Sequence, residues 1–380
     1  MEISECNKCG KCREICPSYR YFLNESFSPR GRTQLYNFLK EGELSESKEL
    51  RERIFSCLLC GACFSNCPLQ VDIPFSIYNL REKMRKNPKL LLFKYFSLFP
   101  GLFFSLFRIL KIKPIKNMVK RQNLIPASLI DKLVPFERKK TQRESLKIFN
   151  QIRPKGRIAL FLGCSTNYLM PSISNALIKL LSKSKYEVVL PRQNCCGAPL
   201  LGAGYREEAM RLAQKNITLY NSFNIDGVMT PCPTCAHFLK DVYDKLTGNS
   251  IKILNLDDLI DIKEITGNEK SEKKIFFHLS CHSKNYLKEE ASIIKLLKKT
   301  GIEMEKKEGC CGFAGLFSFL FERQSMDILK KKVLEYEKAD MIITSCPNCI
   351  IQFKFTMNNK EVLHYTEFIE KILRKGEGNV

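Results

Sequence analysis

All 18 cysteines of this 380-residue chain fall into four clusters, with none outside them. The first cluster is CNKCGKCREICP, with Cys6, Cys9, Cys12 and Cys16 followed by Pro17; the second is CLLCGACFSNCP, with Cys57, Cys60, Cys63 and Cys67 followed by Pro68. Both obey C-x2-C-x2-C-x3-C-P, the spacing that wraps three thiolates around one [4Fe-4S] cube and sends the fourth to a neighbouring cube. By that rule Cys6, Cys9, Cys12 and Cys67 hold one cube, and Cys57, Cys60, Cys63 and Cys16 hold the other. C-x2-C pairs also build tetrahedral zinc sites, which is the plainer alternative. Forty residues separate Cys16 from Cys57, and RTQLYNFLKEGELSESKELRERIFSC within them reads as two helices rather than strands. The expected module is therefore an all-helical ferredoxin, whose closely spaced cubes would pass electrons.

The other two clusters repeat each other. Cys164, the pair Cys195 and Cys196 with Gly197, and the CPTC pair Cys232 and Cys235 match Cys281, the pair Cys310 and Cys311 with Gly312, and the CPNC pair Cys346 and Cys349, at offsets of 114 to 117 residues. Adjacent cysteines make a strained disulfide, so NCCGAPL and GCCGFAG call for another use of two neighbouring thiols. Each repeat offers five thiols where a cube needs four, which suits a site straddling several irons, or one thiol kept for chemistry. A structural zinc site with a spare cysteine is the alternative. RIALFLGC, YEVVLP and DGVMTPC in the first repeat, and KIFFHLSC and ADMIITSC in the second, predict strands that end at the cysteines. Open α/β sheets hold their ligands there. Pro233 and Pro347 suit the first helical position, placing Cys232 and Cys346 at helix starts that favour negative sulfur. Gly197 and Gly312 are expected to let backbone approach a cofactor without a Cβ.

At this length the chain should hold two or three domains. The segments expected are a helical ferredoxin domain over 1–85, an apolar and basic linker over 86–150, and α/β repeats over 151–265 and 266–380. The fold class is thus α+β multidomain. The amino terminus, MEISECNKCG, is polar and already carries cysteines, so it does not read as a signal peptide; reduced thiols and a cytoplasmic location are expected. A formal charge of +22 counts every cysteine as neutral, so part of the excess would offset thiolate clusters. No nucleic-acid-reading motif accompanies the scattered lysines, and no nucleic-acid partner is expected.

With both kinds of cluster in view, residues 5 to about 370 resemble the iron–sulfur oxidoreductases that join a two-cube ferredoxin module to paired cysteine-rich "CCG" domains. Two members are pertinent, the glycolate oxidase iron–sulfur subunit and the single-chain catalytic subunit of heterodisulfide reductase. SPRGR at Ser28 to Arg32 and CPLQVDI around Cys67 are similar to the former. The complete CPTC and CPNC pairs are more like the latter. In that subunit each five-cysteine repeat holds a noncubane [4Fe-4S] cluster facing a disulfide substrate. The resemblance thus implies one such cluster on Cys164, Cys195, Cys196, Cys232 and Cys235, and another on Cys281, Cys310, Cys311, Cys346 and Cys349. The expected function is reduction of a disulfide-type substrate by electrons relayed through the cubes. The rival expectation is an electron-transfer subunit of a flavin-dependent glycolate- or lactate-type dehydrogenase feeding quinone. The redox partner would be a flavoprotein in one case and a membrane cytochrome or a hydrogen-using enzyme in the other.

Residues 90–110, LLLFKYFSLFPGLFFSLFRIL, are strongly apolar, but Lys94, Arg108 and a central Pro100-Gly101 argue against a spanning helix. Two short amphipathic helices are expected, docking on a partner or between domains, lying on a membrane face through 90–116, or filling the core. Of four histidines, His237, His278 and His282 lie near cysteines. His282 is the best-placed proton donor for disulfide reduction, against the plainer role of bonding backbone; His364 reads as structural. No G-x-G-x-x-G follows a strand, and GAGYREEAM is only a lookalike.

Overall fold

The computed structural model describes residues 5–109, 112–121, 125–133, 147–149, 153–260 and 273–377. Among them no strand precedes Lys147. The two helices expected between the first clusters are Pro29–Lys40 and Lys48–Phe55. Ser28 and Ser47 cap them, accepting hydrogen bonds from the Gly31 and Leu50 amides. SPRGR is a packed corner: Ser28 caps, Pro29 opens the helix, and Arg30 pairs with Glu25 at 2.8 Å. A Cβ on Gly31 would sit 1.9 Å from the Glu25 carbonyl oxygen.

Two four-stranded sheets follow. The first holds β1 (Lys147–Phe149), β2 (Gly156–Leu160), β3 (Tyr186–Leu190) and β4 (Gly227–Met229) in the order β1-β3-β2-β4, with only β1 antiparallel. The second is wholly parallel, with β5 (Ile275–Ser280), β6 (Glu305–Gly309), β7 (Met341–Thr344) and β8 (Glu361–His364) in the order β6-β5-β7-β8. The repeat is plain in the pairing. β3-β2-β4 matches β6-β5-β7, and a single bridge from Val228 to Ile253 stands where β8 joins β7. The five strands read from the sequence are present. β1, β6 and β8 are additions; β6 reads EKKEG, an edge strand whose polar side chains give no apolar alternation.

Three cores tie the parts together. One joins Ile54, Ile77 and Tyr78 of the helical module to Phe161, Leu200 and Phe238 of the first repeat. Another lies between the repeats, with Leu177 and Leu181 against Phe368 and Ile369. The last sets Phe104, Ile130 and Leu133 against Phe319 and Phe353 of the second repeat. Within the span 86–150 the described helices turn apolar stripes onto both repeats, and β1 extends the first sheet. Residues 110–111, 122–124, 134–146 and 150 of that span, and the expected boundary at 265/266, lie outside the described residues.

The helices Pro88–Leu98 and Pro100–Ile109 meet at Pro100-Gly101 as expected. Their inner face forms an aromatic seam, with Phe93 5.4 Å from Phe319, Phe96 4.1 Å from Phe103 and Phe104 5.6 Å from Tyr168 between ring centres. Docking between domains is thus what that face does. The outer face leaves Leu91, Tyr95, Phe99 and Leu102 exposed.

Candidate metal centres

The two N-terminal motifs fold alike. Lys8 and Leu59 have φ of 60° and 55°, and Gly10 and Gly61, two residues further on, have φ of 83° and 76°. Such turns point successive amides inward, a backbone nest that suits clustered negative charge. Cys16, Cys57, Cys60 and Cys63 line one cavity, so the first motif contributes a thiol beside three from the second. Burial pushes the Cys16 and Cys63 thiols up. Four converging thiols with inward amides are a donor set that fits a [4Fe-4S] cube. In the other set Cys12 lies within electrostatic reach of Cys6 and is raised to about 11, chiefly by burial. Cys67 packs on the same core edge as Cys12, and Cys9 is exposed. Among the described residues, no group of three or more His, Cys, Asp or Glu side chains is placed to hold a single metal ion.

Two arginines flank the crossed set. Arg32 lines its cavity and donates to the Arg53 carbonyl at 2.7 Å, Ser18 Oγ at 2.8 Å and Ser56 Oγ at 2.9 Å. Arg81 donates to the carbonyls of Cys57 at 2.6 Å and Gly202 at 2.8 Å, and to those of Ile54 and Phe55. Both are fully buried, and the partners found for them among the described residues are neutral oxygens rather than carboxylates. An isolated buried cation is costly. Thiolates of a bound cluster would supply the offsetting charge, since Arg32 lies within electrostatic reach of Cys16 and Arg81 of Cys57; burial lowers the Arg81 pKa to about 10. Arg32 closes the SPRGR stretch, with no role legible for it there, and Arg81 does not stand out in the sequence, since a guanidinium on a helix reads as solvated.

In both repeats the cysteines gather at the carboxyl ends of the parallel strands. Cys164 follows β2, Cys195 and Cys196 follow β3, and Cys232 follows β4; Cys281, Cys310 with Cys311, and Cys346 follow β5, β6 and β7. In the first repeat hydrogen bonds link the thiols in one run, Cys164 to Cys195 to Cys196 to Cys235 to Cys232. Bonds from Cys195 and Cys235 hold the Cys196 thiol down to about 6. In the second, Cys281 meets Cys310, and Cys349 joins Cys311 at 3.3 Å and Cys346. Pro233 and Pro347 open helices directly after Cys232 and Cys346, as expected.

The crossed set stands between the two repeats. Cys60 is within electrostatic reach of Cys310 and Cys281, while Tyr78 is within reach of both Cys57 and Cys196. A π-helical turn, Ser283–Leu287, braces the contact: Asn285 Nδ2 donates to the Cys60 carbonyl at 2.9 Å and Tyr286 Oη to that of Leu59 at 3.2 Å. A Cβ on Gly61 would come within 2.5 Å of the Tyr286 ring.

Gly197 and Gly312 bring backbone amides to sulfur, Gly312 N donating to Cys310 Sγ at 3.4 Å and Gly197 N to Cys195, and both also sit close to a following helix. At φ of 87° and 82° each needs the left-handed region, and the nearest contacts of an added Cβ would be Ala209, or Ile328 and Ser325, on the following helices. At Gly163 it is the missing side chain that matters to sulfur, since its Cβ position lies 2.9 Å from Cys235 Sγ. Ser280 holds the matching place in the second repeat, so the repeat pattern gave no signal for it.

His282 Nδ1 lies 3.5 Å from Cys281 Sγ, and burial lowers its pKa to about 3. It shares an aromatic cluster with Tyr286 and His237, the latter stacked on Tyr286 at 3.8 Å and bonded to Asp241. His278 is buried and bonded to Tyr336 Oη at 2.7 Å. His364 has more company than its sequence context suggests. Its Nε2 reaches the carbonyls of Pro231 at 3.0 Å and Ser345 at 2.9 Å, the residues before Cys232 and Cys346. Both partners accept, so Nε2 carries the proton.

The model of the CCG cysteine-rich domain matches residues 158–240 and 275–354, and that of the 4Fe-4S dicluster domain matches residues 2–71. A Bacillus subtilis protein named "Probable glycolate oxidase iron-sulfur subunit" is 26% identical over 394 residues, spanning 93% of this chain and 88% of its own. The glycolate oxidase iron–sulfur subunit of Escherichia coli is 25% identical, spanning 98% of this chain and 95% of its own. Lactate utilization protein A of an Exiguobacterium strain is 26% identical over 56% of this chain and 97% of its own.

Proposed function

Because the chain belongs to the CCG-domain iron–sulfur oxidoreductases, which join a 4Fe-4S dicluster domain to two cysteine-rich repeats, we propose that it is the electron-transferring iron–sulfur subunit of a flavin-dependent 2-hydroxy-acid dehydrogenase. The observation that carries this is the crossed thiol set, which is within electrostatic reach of the second repeat through Cys60 and shares a core with the cysteines of the first, with Tyr78 in reach of both Cys57 and Cys196. Such spacing serves conduction. The substrate class is supported by the glycolate oxidase subunits, similar over almost the whole chain. The disulfide-reductase reading expected first gives way to this one.

Cys6, Cys9, Cys12 and Cys67 would hold one cube, and Cys16, Cys57, Cys60 and Cys63 the other, with a further cluster on the five cysteines of each repeat. When bound, these groups supply one-electron storage close to one another. The chain's residues do the rest: amides and Arg32 and Arg81 stabilise negative sulfur, the cores exclude water, and His364 fixes the two helix starts relative to each other. His282 would hold a proton beside Cys281. The outer faces of the helices Pro88–Leu98, Pro100–Ile109 and Lys113–Arg121 would rest on the inner face of the cytoplasmic membrane, since the sequence from Lys86 to Arg121 contains nine Lys and Arg and no Asp or Glu beside its exposed apolar residues. Among the described residues no helix is long and apolar enough to cross a membrane.

A second reading is favoured by one observation, the full five-cysteine set in each repeat: reduction of a small disulfide. Anaerobic protein separates the two. Rapid bleaching of its visible absorbance by a reduced 2-hydroxy-acid dehydrogenase flavoprotein, with no dye-driven turnover of small disulfides, is the expected result; disulfide turnover without any partner would reverse the assignment.

A further inference from the structure

The two repeat sites open to solvent through unlike clefts. The one at Cys310 is charged, with Arg20, Lys331, Lys332, Glu308 and Glu335 in its walls. The one at the first repeat, about 430 Å³, runs from Cys164 and Cys195 to the elbow at Pro100-Gly101. Half-buried Gln193 lines it, with exposed Arg192 at its rim and the apolar Leu98, Phe99 and Leu102 along the elbow side. Phe99 is 57% and Leu102 63% exposed, so the mouth continues directly into the apolar outer face. Gln193 Oε1 is buried without a hydrogen-bond partner. A polar atom left so is costly unless a ligand completes it.

We propose that this cleft binds a lipid-soluble quinone, its carbonyl ring against Gln193 and its hydrocarbon tail leaving over Leu98, Phe99 and Leu102. The side-chain amide of Gln193 suits both redox forms, because its oxygen accepts from a quinol hydroxyl and, turned over, its NH2 donates to a quinone carbonyl. The volume falls in the range that small-molecule sites occupy. The chemistry balances across the complex: a 2-hydroxy acid gives up two electrons and two protons to become the 2-oxo acid, and the quinone takes up two of each to become the quinol. This assignment rests on the reading of the chain as an electron-transferring subunit. It adds where the electrons leave.

The test is photolabelling of anaerobic full-length protein with an azido-quinone carrying a long tail, mapped by peptide mass spectrometry. Label on peptides holding residues 98–102 and 192–195, competed by unlabelled quinone, is expected. Gln193→Leu and the surface change Leu102→Glu should each weaken quinone binding about tenfold by equilibrium dialysis, or about 1.4 kcal/mol. Leu334→Glu, on an exposed apolar residue of another helix, should not. Label confined to other peptides, or equal loss in all three variants, would overturn the proposal. If the flavoprotein reduces the chain but quinone labels elsewhere, only this site fails; if quinone labels here but no dehydrogenase reduces the chain, the functional reading fails and the site stands.

Discussion

Arg81 and Gly61 show how single residues set the properties of the crossed site. Arg81 places a full positive charge in a dry region against Cys57, and such a charge favours the reduced, more negative state of a bound cluster. Arg81→Met should therefore shift one cluster's midpoint negative by about 60 mV, a tenfold change in its reduced fraction at fixed potential. Spin-resonance potentiometry reads this directly; an unchanged midpoint with a lowered melting temperature would make the arginine purely structural. Gly61→Ala imposes an unfavourable φ and drives a methyl into the Tyr286 ring. It should cost more in chemical denaturation than Gly42→Ala, where φ of 79° carries the same backbone penalty of about 1 kcal/mol but the space is open. The cysteines themselves were legible because their spacing is chemical. The arginines and Gly163 were not, because their meaning lies in neighbours brought from elsewhere in the chain.

Elements were legible where burial was two-sided. β2 and β5 are buried central strands and read as apolar runs, while β6 lies at an edge and its EKKEG carries no such mark. The elbow helices were foreseen as amphipathic, but their inner partners were not, since Phe319 is more than 200 residues beyond Phe93. Phe319→Ala should remove about 3–5 kcal/mol by opening the aromatic seam, measured as a fall in denaturation midpoint. The outer face gives a separate expectation. The full chain should float with vesicles containing anionic lipid and release at high salt, and Leu91→Glu with Tyr95→Glu should abolish flotation while leaving the melting temperature within about 2 °C. Flotation on neutral vesicles alone would contradict a basic docking face.

For the molecule as a whole, buried neutral histidines join regions that are distant in sequence. Burial lowers His364 from 6.5 to about 4 and His278 from 6.5 to about 3. Each is held neutral when folded and charges more readily when unfolded, so their contribution is complete above pH 6.5 and is lost as pH falls toward the folded values. His364 alone should withdraw about 2 kcal/mol by pH 5, visible as a pH slope in denaturation that His364→Gln flattens. The overall plan of helical module and twin sheets could be read from four cysteine clusters. The fusion of these parts through shared cores could not, because surface complementarity leaves no periodic trace. That fusion governs how the protein must be made. The Leu59–Cys60 turn is steadied by Asn285 and Tyr286, the former 225 positions downstream. A chain still on the ribosome thus presents this turn without its brace, so assembly machinery that fills the crossed set early must serve a loose pocket, and one that waits for the released polypeptide meets a rigid one.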